Sequence, residues 1–250
     1  MQKLLLTIVS ILSLSLAAAE ARAVPIFDFF GPLDEATFGG TGIPNDEVAV
    51  ASQFVDGDNL ITVALSATQR FSNPPLTNDG AGTYFATPGS NFGGSGESTT
   101  EGALWNFNSF VRVEGLNGAT PVLTDYQIDI FYDFDPVEDN ALGTLGRIDL
   151  TASLLAGLGG GPTSTLEESS QNLLFNFLSV DAPPFVDAPA GSFDPNALGE
   201  YNFAIQVSSA GGFGVETVAM DVQVVPEPGT ALLLGLGLAG LSTARRRASR

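Results

Sequence analysis

The stretch Tyr126-Gln127-Ile128-Asp129-Ile130-Phe131-Tyr132-Asp133-Phe134 alternates apolar and polar residues almost without a break. Tyr126, Ile128, Ile130, Tyr132 and Phe134 fall on one face, and Gln127, Asp129, Phe131 and Asp133 on the other. A period of two is that of a β-strand lying on an apolar core, because successive side chains of a strand point to opposite sides. Two other stretches repeat the pattern. In YNFAIQV, Tyr201, Phe203, Ile205 and Val207 alternate with Asn202, Ala204 and Gln206. In VAMDVQV, Val218, Met220, Val222 and Val224 alternate with Ala219, Asp221 and Gln223. Weaker strand patterns cover 47–55, 60–66, 103–114, 145–152 and 172–180. Asp56-Gly57 is a hairpin turn signal joining the first two of these. No amphipathic helix longer than two turns emerges. Many short strands, each with one polar face, predict an all-β fold, an antiparallel β-sandwich with jelly-roll-like winding, over residues 24–225.

Segments rich in Gly and Pro separate the strands. The longest, 73–96, is a loop with room for one strand at 83–86; 157–165 is Gly-rich and 181–195 Pro-rich. None reads as a domain linker, since strands on both sides are needed to complete a sheet. A Gly-rich loop cradles phosphate when a lysine or a helix start follows it, and neither follows here.

Composition excludes several chemistries. The 250 residues include no cysteine and no histidine. That removes disulfides, thiolate and imidazole metal ligands, cysteine nucleophiles and every Ser-His-Asp triad. Of nine basic residues, only Arg70, Arg112 and Arg147 lie within 24–225, against 26 of the 28 acidic residues. A body of net charge about −23 repels phosphate backbones and anionic headgroups, so nucleic-acid binding is excluded.

The two ends carry the remaining signals. Residues 1–23 begin with Lys3, continue through an apolar run at 4–19, and end in Ala21-Arg22-Ala23. This is the layout of a secretory signal peptide, with cleavage by signal peptidase after Ala23. Near the other end, 230–244 is uncharged and apolar or small throughout. As a helix it would run roughly 22 Å, short of a bilayer core of roughly 30 Å. Its flank decides the reading: Arg245, Arg246 and Arg247 would hold that end in the cytoplasm, leaving the body on the far side, where the signal peptide also sends it. Gly235, Gly237 and Gly240 spell G-x-G-x-x-G, but only ten residues follow and none is acidic, so the dinucleotide-binding context is missing.

Pro226-Glu227-Pro228, then a short Leu/Gly-rich stretch, then Arg245-Arg246-Arg247 resembles the PEP-CTERM sorting signal of Gram-negative bacteria, a segment also described as the C-terminal domain of ice-binding proteins. The resemblance covers 226–250, about a tenth of the chain, and its strength lies in three elements in fixed order behind a signal peptide. It implies an inner-membrane-anchored precursor that exosortase, a membrane-embedded transpeptidase, cuts at or near Pro226–Pro228. The body would then pass to the cell surface or an exopolysaccharide matrix. The alternative is a permanent single-helix anchor.

Within the body, Asp129, Asp133, Asp135, Glu138, Asp139 and Asn140 gather hard oxygen donors of the kind that bind Ca²⁺. The spacing is not that of an EF-hand, and a solvated acidic loop explains it equally. Carboxylates 5–9.5 Å apart would suffice for glycoside hydrolysis, but one tryptophan, Trp105, offers little for sugar stacking. The expectation is therefore an exported non-catalytic protein, with a calcium-assisted polysaccharide-binding module and a glycoside hydrolase as the alternatives.

Overall fold

The computed structural model describes residues 25–40, 43, 49–93, 100–138, 140–209 and 214–226. The signal-peptide span, Asp139 and the tail from Glu227 onward lie outside the described residues, including Arg245, Arg246, Arg247 and the expected helix at 230–244. Among the described residues no helix is long and apolar enough to cross a membrane.

Two sheets face each other. The first is ordered β1 (Phe29–Gly31), β2 (Ala49–Asp56), β3 (Asn59–Gln69), β8 (Trp105–Gly115) and β11 (Leu166–Gln171). The second is ordered β12 (Val186–Asp187), β10 (Gly146–Asp149), β9 (Tyr126–Tyr132), β13 (Gly199–Ser209), β14 (Glu216–Val224), β5 (Thr83–Ala86) and β4 (Thr77–Asn78). A two-stranded ribbon of β6 (Ser90–Asn91) and β7 (Gly102–Ala103) sits beside them.

The alternation in the sequence becomes the interior. Tyr126, Ile128, Ile130 and Tyr132 of β9 and Tyr201, Phe203, Ile205 and Val207 of β13 are all buried, and they meet Ile61, Val63 and Leu65 of β3 and Phe107, Val111 and Val113 of β8 in one cluster. Trp105 is its largest member, in contact with the rings of Phe193, Tyr201 and Phe203 at 6.0–6.2 Å between centroids. The Asp56-Gly57 turn closes β2 on β3 as expected, with Asp56 opposite Asn59 and Gly57 at φ +60°.

Both outer faces are also partly covered. Leu33, Ala36 and Phe38 fold over Ala49, Ala51, Ala64 and Phe110 on the outside of the first sheet, making a second, smaller apolar cluster. Glu168 fastens that flap by accepting hydrogen bonds from Thr37 N (2.5 Å), Thr37 Oγ1 (2.8 Å) and Phe38 N (3.0 Å). Glu168 stands on the edge strand β11, so these bonds tie the flap to that side of the sheet.

Three expectations are corrected. The winding is not that of a jelly roll: β1, β2 and β3 are consecutive neighbours in one sheet, and β14 pairs in parallel with β5 while the other named pairings are antiparallel. The stretch 145–152 is a strand only to Asp149. There Asp149 caps helix α1 (Leu150–Leu155), its side chain accepting from Ala152 N at 2.7 Å, and Leu150 and Leu154 reach the core as helical neighbours. The stretch 172–180 is a turn followed by one turn of 3-10 helix, Asn176–Ser179. The amide of buried Asn172 bonds Ala103 N, Ala103 O and Trp105 O, which stops the chain from extending a ladder. The strand of that region is the polar β11, one step earlier.

Replacing the ring at the centre of the interior should be costly. Trp105→Ala is expected to lower unfolding free energy by about 3–5 kcal/mol, measured as a shift in urea midpoint; a loss under about 1 kcal/mol would mean that the two sheets do not close on this residue.

Candidate functional site

The acidic stretch after β9 is the richest group of polar side chains in the body. It is held together from within. Asp133 is buried, and its carboxylate accepts from Asp135 N (2.9 Å), Asn140 Nδ2 (2.8 Å) and Asn202 N (3.4 Å). Asn140 Nδ2 also reaches the carbonyls of Asp135 (3.1 Å) and Val137 (2.9 Å). The oxygens that would ring a cation thus converge on an amide nitrogen. Asp135 turns outward and accepts from Val137 N.

Asp129 does not join them. It lies four residues back along the strand, about 13 Å at strand rise, and pairs with Arg147 at 2.8 Å. Arg147 also reaches Asp149 (3.4 Å) and Asp187 (2.8 Å), tying β9, β10 and β12 together at one end of the second sheet. The hydrogen bond to Asp187, foremost, and the one to Asp129 hold the guanidinium pKa above its ordinary value. Asp129 therefore stands apart from Asp133, Asp135 and Asn140. Arg147, the nearest positive charge, claims Asp129, and burial turns Asp133 inward. Among the described residues no group of three acidic side chains is arranged to hold a metal ion; Asp139 lies outside the described residues.

Asn140 leads to polar residues that sequence reasoning placed in solvent. Its N–H donates to Asn202 Oδ1 at 2.9 Å, which fixes the orientation of that amide. Asn202 Nδ2 then donates to Asp221 Oδ1 (2.9 Å) and Glu200 Oε1 (3.3 Å). Glu200, Asn202 and Asp221 are all buried on the outer face of β13 and β14. Loop 133–145 covers them, docked by the bond from Glu200 N to Pro136 O (3.2 Å). Gly199 allows this approach, since a Cβ there would meet Pro136 O and its φ of +146° disfavours other residues. A cavity of about 190 Å³ opens beside the network, lined by Ile26, Leu142, Leu145, Ala204, Ala219 and Asp221 among others. The only hint in the sequence was the run of polar and small residues, Asn202, Ala204, Ala219 and Asp221, facing each other across the hairpin.

The sorting motif begins where the sheet ends. Val225 N donates to Ala86 O at 2.9 Å, and Pro226, the last described residue, is exposed. Glu227, Pro228, Ala21 and Ala23 lie outside the described residues. Compared with known proteins, residues 224–247 match the family model of the PEP-CTERM protein-sorting motif. No curated protein and no solved structure matches the chain. The chain thus carries the sorting signal of exported proteins that exosortase processes.

Acidity is the body's variable. Burial raises the Asp133 pKa, against hydrogen bonds from Asp135 N, Asn140 and Asn202 that lower it. Burial also raises that of Glu167, whose carboxylate accepts from Gly160 N. A carboxylate with a raised folded pKa contributes stability that is full below its unfolded value and is lost as pH rises through the folded one. Both groups, and the net negative charge, act in the same direction. The melting temperature should therefore rise as pH falls from 7 to 5, and calorimetry should show a smaller rise for Asp133→Asn. A flat or falling profile would contradict the burial of these carboxylates.

Proposed function

We propose that this chain is an exported, non-catalytic protein of the cell surface or exopolysaccharide matrix. In this reading its acidic sandwich is made at the inner membrane and freed or transferred when exosortase acts at Pro226-Glu227-Pro228. The observation that carries it is the position of the motif. Among the described residues the last backbone bond of the second sheet is made by Val225, and the sequence then runs into two prolines, Pro226 and Pro228, that cannot donate to a ladder. A cut there removes the tail without taking a strand from the body.

A structural or interaction role is favoured over chemistry. The body offers carboxylates but no histidine, cysteine or lysine. Glu200 and Asp221, joined through Asn202, form a close carboxylate pair, yet Glu200 is fully buried and out of reach of a glycosidic oxygen. Charge of one sign over most of the surface suits a soluble protein held among hydrated polymers and cations.

Intact mass of the protein recovered from cells tests this. Loss of the first 23 residues and of the segment after Pro228 is the expected result. A mass retaining the whole tail would make the protein a plain membrane anchor. If the recovered body bound Ca²⁺ or the cells' own exopolysaccharide in calorimetric titration, the role would move to a binding module.

A further inference from the structure

The cavity on the outer face of the second sheet is apolar along most of its length and acidic at one end. Its lining follows β14 from Thr217 through Ala219 to Asp221, about 13 Å at strand rise. Ala204 stands opposite Ala219 on β13, and Ile26, Leu142 and Leu145 form walls. Asp221, which is buried, and Asn202 close the acidic end.

The amides at that end are already spent. Asn202 Nδ2 carries two hydrogens, and it bonds Asp221 Oδ1 (2.9 Å) and Glu200 Oε1 (3.3 Å). Its backbone N–H goes to Asp133, and Asn140 Nδ2 is shared among Asp133 and the carbonyls of Asp135 and Val137. Glu200 is fully buried and its Oε2 has no hydrogen-bond partner, a costly state for a carboxylate oxygen. Three carboxylates thus share one chain of neutral donors, which position them and leave their charge in place.

These acids call for positive charge, and the body's arginines are committed elsewhere. Arg112 pairs with Glu35 and Glu114, Arg147 with Asp129, Asp149 and Asp187, and Arg70 bonds the carbonyls of Asn91 and Thr100. No lysine occurs between 24 and 225. A bare divalent ion fits poorly, because it needs six to eight oxygens and the walls here are apolar. An ammonium carried on a small apolar body matches both the end and the walls.

Size limits that body. An apolar cavity of about 150 Å³ holds one benzene molecule, so about 190 Å³ admits roughly six to eight non-hydrogen atoms. Ile26, one of the walls, is 53% exposed, so the cavity opens to solvent on that side.

We propose that this cavity is a binding site for a small primary amine with an apolar chain or ring, its ammonium seated against Asp221 and its hydrocarbon along Ala204, Ala219, Ile26, Leu142 and Leu145. The charge-assisted bond to Asp221 sets the orientation, with the charges of Glu200 and Asp133 behind it. Burial of the hydrocarbon supplies the rest of the affinity. The site belongs to the folded body and does not depend on how the tail is processed.

Calorimetric titration of the protein recovered from cells, with n-pentylammonium chloride and with 1-pentanol, tests this. Salt at about 0.15 M screens general attraction of cations to the acidic surface. Pentylammonium is expected to bind about ten-fold or more tightly than the alcohol of the same shape. Asp221→Asn keeps an oxygen for the Asn202 amide but removes the charge, and should bring the two ligands to equal affinity. Ala219→Leu fills the cavity from its floor and should abolish binding of both, with folding of each variant checked by its melting curve. Equal affinity of the unaltered protein for amine and alcohol, or no heat with the amine at millimolar concentration, overturns the proposal without any variant. Unchanged amine binding by a folded Ala219→Leu protein overturns it as well.

Discussion

Strand β14 must have its main chain satisfied along both edges, and the way its second edge is met shapes the rest of the molecule. One edge is paired with β13 over nine residues, Gly199 opposite Val224 through to Val207 opposite Glu216. The other is met in pieces: Ile26 at Ala219, Gly82 at Asp221, β5 alongside 221–224, and Ala86 at Val225. A bare edge is open to pairing with other chains, and this one is closed by segments from distant parts of the sequence. The residue after Ile26 leads on to Asp28, whose N–H bonds Ala51 O in the opposite sheet and whose carboxylate accepts from Gln53 N. The same short segment therefore straps the two sheets together. Beyond Val225 nothing more is required of the strand, and the sorting motif starts.

That arrangement explains why so many acids lie inside an acidic protein. Closing β14 brings the N-terminal segment and loop 133–145 over the outer face of the second sheet, and residues that would have met water become buried. Asn202 sits at the hub, its amide bridging Glu200 and Asp221 while its backbone N–H reaches Asp133. Neutral amides of Asn140 and Asn202 supply the donors that lysines would supply in a less acidic chain. Hydrogen bonds of this kind position the carboxylates but leave their charge in place.

The interior strands were legible in the sequence because their periodicity is a local property. β9, β13 and β14 follow the alternation at 126–134, 201–207 and 218–224, the turn at Asp56-Gly57 is where it was read, and the strand at 83–86 stands within its loop. What escaped depends on contacts far apart in the chain. Asn202 and Asp221 look like solvent-facing positions of a two-sided strand until loop 133–145 covers them. β11 is an edge strand, polar at nearly every position and nowhere fully buried, so no apolar pattern marks it. Helix α1 escaped because Leu150 and Leu154 are buried at a spacing that also suits a strand. The acidic group after β9 was visible as a cluster, but only the fold shows that Arg147 takes one member and Asn140 fills the middle of the rest.

The central claim is that Ile26, Gly82, β5 and Ala86 suffice to close the second edge of β14 and with it the sandwich. Amide hydrogen exchange on the exported protein, before and after removal of everything beyond Pro226, measures this directly. The account predicts that the Ile26, Ala219 and Val225 amides are protected and that tail removal leaves their exchange unchanged. Rapid exchange at Ala219 and Val225, or protection lost together with the tail, would contradict it.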